Sequence, residues 1–445
     1  MNCEPPIIAM NNKTICLLVA LTALAWGQAS AGTKHSPSSR YPSYEGRIMC
    51  GYQGWFRAEG DGSGHGWVHY GRREFGPNNA TVDLWPDVAE YKKTYPTGFK
   101  LEDGSPARVF SSWDESTVDL HFRWMQQYGI DGVFVQRFFD MTRTEKSRAA
   151  GRIILGHALK ASQKNGRALA VMYDLSGLKP GEDCSSLIED WKELVDALKL
   201  TSQGTNQTYL YHRGKPLVAI WGIGFPDRPY NIHDIGIEKL LDFLKHDPQY
   251  GGCSVMLGVP NYFRDLRADT IADTYLHEIM AQADVIMPWM VGRFSESLYG
   301  EMNRYGAQIK ADQTWCADRK LDYVPCVYPG FSWYNLSKRR DPFDAIPRLK
   351  GRFYWGLMTT AMQSGAKMIY VAMFDEMDEA TAIFKCTSKP PADQPPAKFL
   401  TYEDLPSDQY LWLTGQAGRI LRGEVAADKE LYRNTSHELT KTAKR

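Results

Sequence analysis

The sequence predicts a single α/β domain folded as a (β/α)8 TIM barrel with long loops between strands and helices. Short apolar runs rich in β-branched and aromatic residues recur along the chain, and helical patterns separate them, as in parallel strands joined by crossover helices. Buried parallel strands need cover on both faces, which favours a closed barrel. The 445 residues do not require a second domain, because barrels use roughly 250 to 400 residues as one unit.

The elements follow from these runs in chain order. The predicted strands are residues 48–52, 132–136, 169–173, 217–221, 254–259, 285–289, 324–328 and 368–374. The predicted helices include 116–128, 145–164, 187–200, 237–244, 270–283, 353–364 and 408–422. Residues 57–106 lack a helical period and are rich in Gly, Asn, Pro and Trp, which predicts a long loop after the first strand that shapes the functional site.

The ends of the chain have a different character. Residues 1–31 combine Lys13, an apolar run at 15–26 and the pattern Ala29-Ser30-Ala31, which is typical of a signal peptide cleaved near Ala31. We therefore expect an exported protein, periplasmic or secreted, with a flexible leader at 32–44. The barrel domain is expected at 45–425 and a polar tail at 426–445. No later apolar run is long enough for a membrane span.

Composition limits the ligand classes. Lys and Arg together number 52, as do Asp and Glu, so no overall field favours nucleic acid, and an uncharged substrate fits better. Aromatic residues make up 12% of the chain, and their flat faces suit the C–H surfaces of sugars. The cysteine spacing contains no CxxC pair, so we expect no metal site and no cofactor. Cys316 and Cys326 are the most plausible local disulfide.

Polar and aromatic residues accumulate where the predicted strands end, which is where barrel enzymes carry their chemistry. The candidate substrate-binding residues at or after these ends are Tyr52, Gln53, Trp55, Arg137, Tyr173, Asp174, Trp221, Trp289, Arg293, Tyr328, Trp333, Tyr334 and Asp375. For Arg137 and Asp174 a structural salt bridge is the alternative. His65 and His69 have a spacing that could suit a metal on a helix, but the glycines on both sides of His65 indicate a loop.

The most informative segment follows the eighth predicted strand, where four of five successive residues are acidic (Asp375, Glu376, Asp378 and Glu379). Crowded carboxylates cannot all ionise cheaply, so one can keep its proton as an acid while another acts as a base. That division of roles is what cleavage of a glycosidic bond needs. A solvated acidic loop and a calcium site are the alternatives, although a calcium loop would show alternating Asp or Asn with Gly.

Three segments resemble the endo-α-mannosidase family (glycoside hydrolase family 99) and its bacterial relatives grouped with families 71 and 99. They are Gly51-Tyr52-Gln53-Gly54-Trp55-Phe56, Tyr328-Pro329-Gly330-Phe331-Ser332-Trp333 and Phe374-Asp375-Glu376-Met377-Asp378-Glu379-Ala380-Thr381. The resemblance covers roughly residues 45–385. It implies catalytic roles for Glu376, as the base on the sugar 2-hydroxyl, and Glu379, as the acid/base at the glycosidic oxygen. The implied course is a 1,2-anhydro sugar intermediate with overall retention.

The last segment also departs from the family. The family typically reads Asn-Glu-Trp-His-Glu-Gly-Thr, whereas this chain carries Asp375, Met377, Asp378 and Ala380 at the changed positions. Both glutamates and Thr381 match. The resemblance therefore implies cleavage of a glycosidic bond and leaves the sugar open.

The sequence thus predicts a retaining glycoside hydrolase that cleaves α-linked sugars in an oligosaccharide or polysaccharide. A barrel that binds carbohydrate without cutting it is the main alternative, but binding alone does not need two adjacent carboxylates. A metal-dependent hydrolase ranks last because the sequence lacks a convincing set of His and Asp ligands.

Overall fold

The computed structural model describes residues 32–295, 300–392 and 395–426. The strands are β1 (Ile48–Tyr52), β2 (Tyr95–Lys100), β3 (Pro106–Val109), β4 (Gly132–Phe138), β5 (Ala168–Asp174), β6 (Tyr211–His212), β7 (Lys215–Trp221), β8 (Ser254–Pro260), β9 (Val285–Trp289), β10 (Asp322–Tyr323), β11 (Cys326–Val327) and β12 (Ile369–Val371). The α-helices are α1 (Glu115–Tyr128), α2 (Glu145–Asn165), α3 (Ser185–Ala197), α4 (Ile237–His246), α5 (Tyr275–Met280), α6 (Gly300–Ala317), α7 (Arg352–Gln363) and α8 (Gln409–Leu421).

The parallel strands close into a barrel. Their order is β10-β9-β8-β7-β5-β4-β1-β12-β11. The seventh barrel strand is split into β10 and β11 and closes the barrel, because β10 pairs with β9 and β11 pairs with β12. Pro325 lies between the two short strands, and proline has no N–H to donate to a ladder, so the seventh strand is interrupted. The (β/α)8 prediction is confirmed.

Two elements differ from expectation. The helix expected at 270–283 is shortened to α5 (Tyr275–Met280). Helix α6 has no predicted counterpart, because its buried positions include Gly306 and Asp312 as well as Ile309. Its inward face is thus only partly apolar, which weakens the helical pattern in the sequence.

The segment expected to be a flexible leader is packed against the barrel instead. The backbone N–H groups of Lys34, Ser36 and Arg40 donate to carbonyl oxygens of residues 249, 201 and 207, and Tyr44 is fully buried. These contacts satisfy the backbone of residues that have no helix or sheet of their own. The predicted signal peptide and nearly all of the predicted tail lie outside the described residues.

The long loop after β1 forms one wall above the barrel. It contains the antiparallel pair β2 and β3 and is fixed by Asp83, whose carboxylate accepts hydrogen bonds from Ser332 Oγ and from the backbone N–H groups of Tyr334 and Asn335. Burial raises the pKa of Asp83 to about 7. This contact joins the loop to the segment after β11, so two chain segments far apart in sequence share the top of the barrel.

Two further findings concern the described part of the chain. None of its helices is long and apolar enough to cross a membrane. All six cysteines within it are free and buried, including Cys316 and Cys326, so the expected local disulfide is absent there.

Candidate active site

A cavity of about 350 Å³ opens at the carboxyl ends of the barrel strands, where barrel enzymes place their catalytic groups. It is lined by Gln53, Trp55, Gln136, Phe138, Asp174, Ser176, Trp221, Phe225, Asp227, Arg228, Trp289, Arg293, Trp333, Met373, Glu376 and Glu379. Four tryptophans and four carboxylates therefore face one space. That combination suits a ligand with both apolar faces and hydroxyl groups.

The acidic segment after β12 forms the floor of this cavity. Glu376 is buried, and its two carboxylate oxygens accept hydrogen bonds from Gln53 Nε2 at 2.8 Å and Thr381 Oγ1 at 3.0 Å. Glu379 is half-buried and is hydrogen-bonded by the side chain of Trp333. Each glutamate is thus held in place by a polar group from another part of the site.

Asp375 holds the first strand against this floor. Its two oxygens accept the backbone N–H groups of Gln53 and Gly54, each at 2.8 Å, and the side chain is fully buried. Gly54 has a φ of 58°, a left-handed conformation that glycine adopts without strain. Asp375 therefore positions Gln53, the residue that donates a hydrogen bond to Glu376. The sequence predicts Asp375 as a substrate-binding residue, and this prediction is wrong, because Asp375 does not line the cavity.

The two cavity glutamates favour their protonated forms. Burial, followed by repulsion from Glu379 and Asp378, holds the pKa of Glu376 well above its usual range. Burial raises the pKa of Glu379 to about 8, repulsion from Asp378 and Asp174 adds to the rise, and the hydrogen bond from Trp333 opposes it. Two neighbouring acids of this kind lose their first proton more readily than their second, which leaves one acid and one base.

These raised pKa values predict a stability difference. The folded state binds a proton at Glu379 that the unfolded chain releases above its ordinary pKa, so stability should fall as pH rises from about 4.5 to about 8. Glu379→Gln removes this pH-dependent loss of stability, because glutamine does not ionise. We expect the variant to melt a few degrees above the parent at pH 8 and at the same temperature at pH 4, as measured by thermal unfolding. A variant that melts lower at both pH values would contradict the raised pKa.

Asp378, between the two glutamates, is paired with the long first loop. His69 Nδ1 donates to Asp378 Oδ2 at 3.0 Å, and the imidazole stacks on Trp55 with ring centroids 3.6 Å apart. Asp378 is 1% exposed, and within the described residues its Oδ1 has no hydrogen-bond partner. Loss of the hydrogen bond from His69 would therefore leave the buried Asp378 carboxylate without its donor and destabilise the fold.

His69→Phe keeps the stacked ring and removes the donor. We expect a loss of about 1–3 kcal/mol in the free energy of unfolding, because Asp378 remains buried with its donor gone. Adding Asp378→Asn should recover part of the loss, since an amide tolerates burial better than an unpaired carboxylate. Urea unfolding measures both effects. His65→Phe, at an exposed position in the same loop, is the matched control, and an equal loss there would contradict the role of the His69 hydrogen bond.

The structure brings most of the predicted site residues together. Those that line the cavity are Gln53, Trp55, Asp174, Trp221, Trp289, Arg293, Trp333, Glu376 and Glu379. Several of their polar atoms are buried without a hydrogen-bond partner among the described residues, namely Gln53 Oε1, Trp55 Nε1 and Trp221 Nε1. Buried polar groups are normally paired, so hydrogen bonding is incomplete in these three side chains of the cavity wall.

Arg137 and Tyr173 lie behind the cavity, on the outer side of the barrel wall. Arg137 is paired with Asp190 of α3, Nε to Oδ2 at 2.8 Å, and Tyr173 donates to the same carboxylate at 2.9 Å. Side chains alternate between the two faces of a strand. Gln136 and Asp174 point to the cavity, so their neighbours Arg137 and Tyr173 point to the helices. Arg137 therefore forms the structural salt bridge that was the alternative to substrate binding.

Three predicted aromatic residues are also absent from the cavity lining. Tyr52 is fully buried with its hydroxyl 3.0 Å from His121 Nδ1. Tyr328 is fully buried and donates to the Phe294 carbonyl at 2.6 Å. The Tyr334 ring packs against Phe343. These side chains support the loops of the site.

Sequence reasoning missed part of the cavity wall. The missed residues are Gln136, Phe138, Ser176, Phe225, Asp227, Arg228 and Met373. Strand alternation identifies Gln136 once Arg137 is placed outward, and Phe138 follows from the same alternation. Phe225 and Arg228 lie in an irregular loop after β7, where no periodicity fixes direction.

The described residues contain no group of three or more His, Cys, Asp or Glu side chains placed to hold a metal ion. His69 is engaged with Asp378 and Trp55, while His65 is exposed.

Comparison with known proteins gives structural neighbours. No family model matches the chain, and a search of curated proteins found no significant match. The structure is similar to that of a GH99 endo-alpha-mannosidase from Bacteroides thetaiotaomicron in complex with BIS-TRIS-propane, with a TM-score of 0.60, 17% identity, and coverage of 85% of this chain and 98% of the other. A second structure of that enzyme gives a TM-score of 0.60, 16% identity, and coverage of 86% and 99%. At such identities the likeness shows a shared fold.

Proposed function

We propose that this protein is a retaining glycoside hydrolase that cleaves α-linked sugars in an oligosaccharide or polysaccharide. The observation that carries the proposal is the pair Glu376 and Glu379, two carboxyl groups with raised pKa values in one cavity. Glycosidic cleavage needs an acid and a base at such a pair. The tryptophans on the cavity wall supply flat apolar faces for sugar rings.

The roles proposed for the two glutamates are those that the family resemblance implies. Glu379, with a pKa of about 8, carries a proton at neutral pH and gives it to the glycosidic oxygen as the bond to the anomeric carbon breaks. Glu376 is the base. Burial and the acidic neighbours raise the pKa of Glu376, but the pair loses one proton more readily than two. The hydrogen bonds that Glu376 accepts from Gln53 and Thr381 favour the negative charge on Glu376, and this carboxylate accepts a proton from the sugar 2-hydroxyl. The sugar O2 then bonds to the anomeric carbon and forms a 1,2-anhydro sugar.

The second step restores the enzyme. Glu379, now ionised, takes a proton from water while that water attacks the anomeric carbon, and the bond from that carbon to O2 breaks. Glu376 returns its proton to O2. Two inversions at one carbon give overall retention. The proposal draws on the family resemblance of the segment from Phe374 to Thr381 and on the fold shared with a GH99 endo-alpha-mannosidase.

The proposal also includes export. Its support is the pattern of residues 1–31 in the sequence, which lies outside the described residues. The mature chain would begin near Gly32, and the intact mass of exported protein tests this.

The function is tested by incubating the protein with a panel of α- and β-linked polysaccharides and measuring released reducing ends. We expect release from at least one α-linked polymer and none with Glu379→Gln. Binding to a polymer without release by the parent protein would favour the carbohydrate-binding alternative. Equal release by parent and variant would place the chemistry elsewhere.

A further inference from the structure

Two arginines line one side of the cavity, and their surroundings differ. Arg293 Nε donates to Asp269 Oδ2 at 2.6 Å, and the Asp269 carboxylate is itself fixed by the backbone N–H groups of Asn261 and Tyr262. The charge of Arg293 is therefore balanced within the protein. Arg228, on the loop after β7, has no comparable partner among the residues that the structure describes.

Arg228 is held by aromatic rings. Its guanidinium carbon lies 5.1 Å from the centroid of the Trp221 ring and 5.4 Å from that of Phe225, a contact that orients a planar cation without neutralising it. The nearest carboxylate oxygen is Asp227 Oδ1, 3.8 Å from Nε, which is too far for a hydrogen bond. Because the Asp227 side chain is 74% exposed, this pair is screened by water and weak.

The buried edge of the guanidinium is unpaired. Among the described residues Arg228 Nε is buried without a hydrogen-bond partner. Burial raises the pKa of Asp174, a carboxylate on the same cavity wall, to about 6, and the charge of Arg228 opposes that rise. Within the described part of the chain, however, no hydrogen bond or ion pair joins the two side chains. Asp174 is instead capped by the backbone N–H of Ser176 at 2.7 Å.

A guanidinium that lines the cavity, is oriented by a tryptophan and has no close carboxylate partner among the described residues is suited to an oxyanion. Resting on the proposed function, we propose that the sugar bound against Trp221 carries a carboxylate or sulfate group, and that Arg228 binds this group. Two parallel N–H donors match two oxygens of such a group, and a charge-assisted pair is stronger than a hydrogen bond between neutral groups. The substrate class would be an acidic glycan, which differs from the uncharged substrate suggested by the net charge.

Binding measured by NMR tests this without requiring turnover. The probes are the methyl glycosides of glucose, galactose and mannose, with the uronate and the 6-sulfate of each. We expect at least one anionic glycoside to bind the parent protein 10-fold or more tightly than its neutral form, and the preference should weaken as salt is raised. The uronate and sulfate arms identify which oxyanion is bound.

Arg228→Gln should reduce that preference to less than twofold while it changes binding of the neutral glycoside less than threefold. Arg319→Gln is the matched control, because Arg319 lies over Trp315 at 3.9 Å outside the cavity lining, and it should keep the full preference. Thermal unfolding of both variants checks that they are folded. Equal binding of neutral and anionic glycosides by the parent protein overturns the proposal, as does a preference that survives in Arg228→Gln or the failure of every anionic glycoside to bind.

The outcomes separate this inference from the proposed function. An anionic preference with no hydrolysis of any polymer supports the role of Arg228 and contradicts the hydrolase. The opposite outcome is that an acidic polymer is hydrolysed equally fast before and after its carboxyl groups are chemically reduced or its sulfates are removed. The hydrolase then stands and the role of Arg228 is overturned.

Discussion

Glu379→Gln and Glu376→Gln are each expected to lower turnover by a factor on the order of 10² or more, as removal of a positioned acid or base does. Both side chains line the same cavity, and each amide keeps nearly the same shape as the acid it replaces. The loss should therefore appear in the rate of the chemical step and much less in substrate binding. Steady-state kinetics on a polymer cleaved by the parent protein measure it.

The two variants differ in their response to the leaving group. A sugar with a good leaving group, such as a nitrophenyl glycoside, does not need a proton from Glu379, so it should partly restore the rate of Glu379→Gln. It still needs a base, so Glu376→Gln should remain slow. Glu189→Gln, at an exposed glutamate of α3 outside the cavity, is the matched control. Near-normal rates in both cavity variants would show that these glutamates are not catalytic.

The sequence predicts the barrel well because its strands are buried on both faces. Strand β1 (Ile48–Tyr52) is an uninterrupted buried run, and such runs stand out from the helical patterns around them. The acidic segment after β12 is also visible in the sequence, since packing does not account for four carboxylates in five positions. Both features depend on residues close together in the chain.

Apolar runs alone do not predict which side chains of a strand point into the barrel and which point to the helices. A continuous apolar strand does not show which of two adjacent polar residues faces inward. The sequence predicts Arg137, Tyr173 and Asp174 at the site, whereas the structure places Asp174 and the unpredicted Gln136 there. The cost of burying a charge explains why Arg137 points to the helices. Arg137 is 1% exposed, and a fully buried guanidinium requires a partner such as Asp190.

Contacts between distant segments are harder still. His69 and Asp378 are 309 residues apart, and no local pattern connects them. The position of Asp378 is one of those where this chain departs from the family motif, which has a histidine there. In this structure His69 reaches Asp378 from the long first loop.

The position of Glu376 leads to the second large effect, a requirement for a free 2-hydroxyl group placed trans to the leaving group. In ordinary retaining enzymes the two carboxyl groups lie about 5 Å apart across the anomeric carbon, and one of them attacks it. Glu376 and Glu379 instead come from one short segment after β12. Glu376 is also held by Gln53 and Thr381, which favours a fixed base that accepts the proton of O2.

A 2-deoxy-2-fluoro sugar with an activated leaving group distinguishes the two mechanisms. It has no hydroxyl at C2, so the sugar cannot supply its own nucleophile, and we expect no turnover and no covalent adduct. In the ordinary mechanism the same compound traps a glycosyl-enzyme ester. The matching sugar with a free 2-hydroxyl and the same leaving group is the control and should be cleaved. Peptide mass mapping after incubation gives the result, and an adduct on either Glu376 or Glu379 would replace attack by O2 with direct attack by that carboxylate.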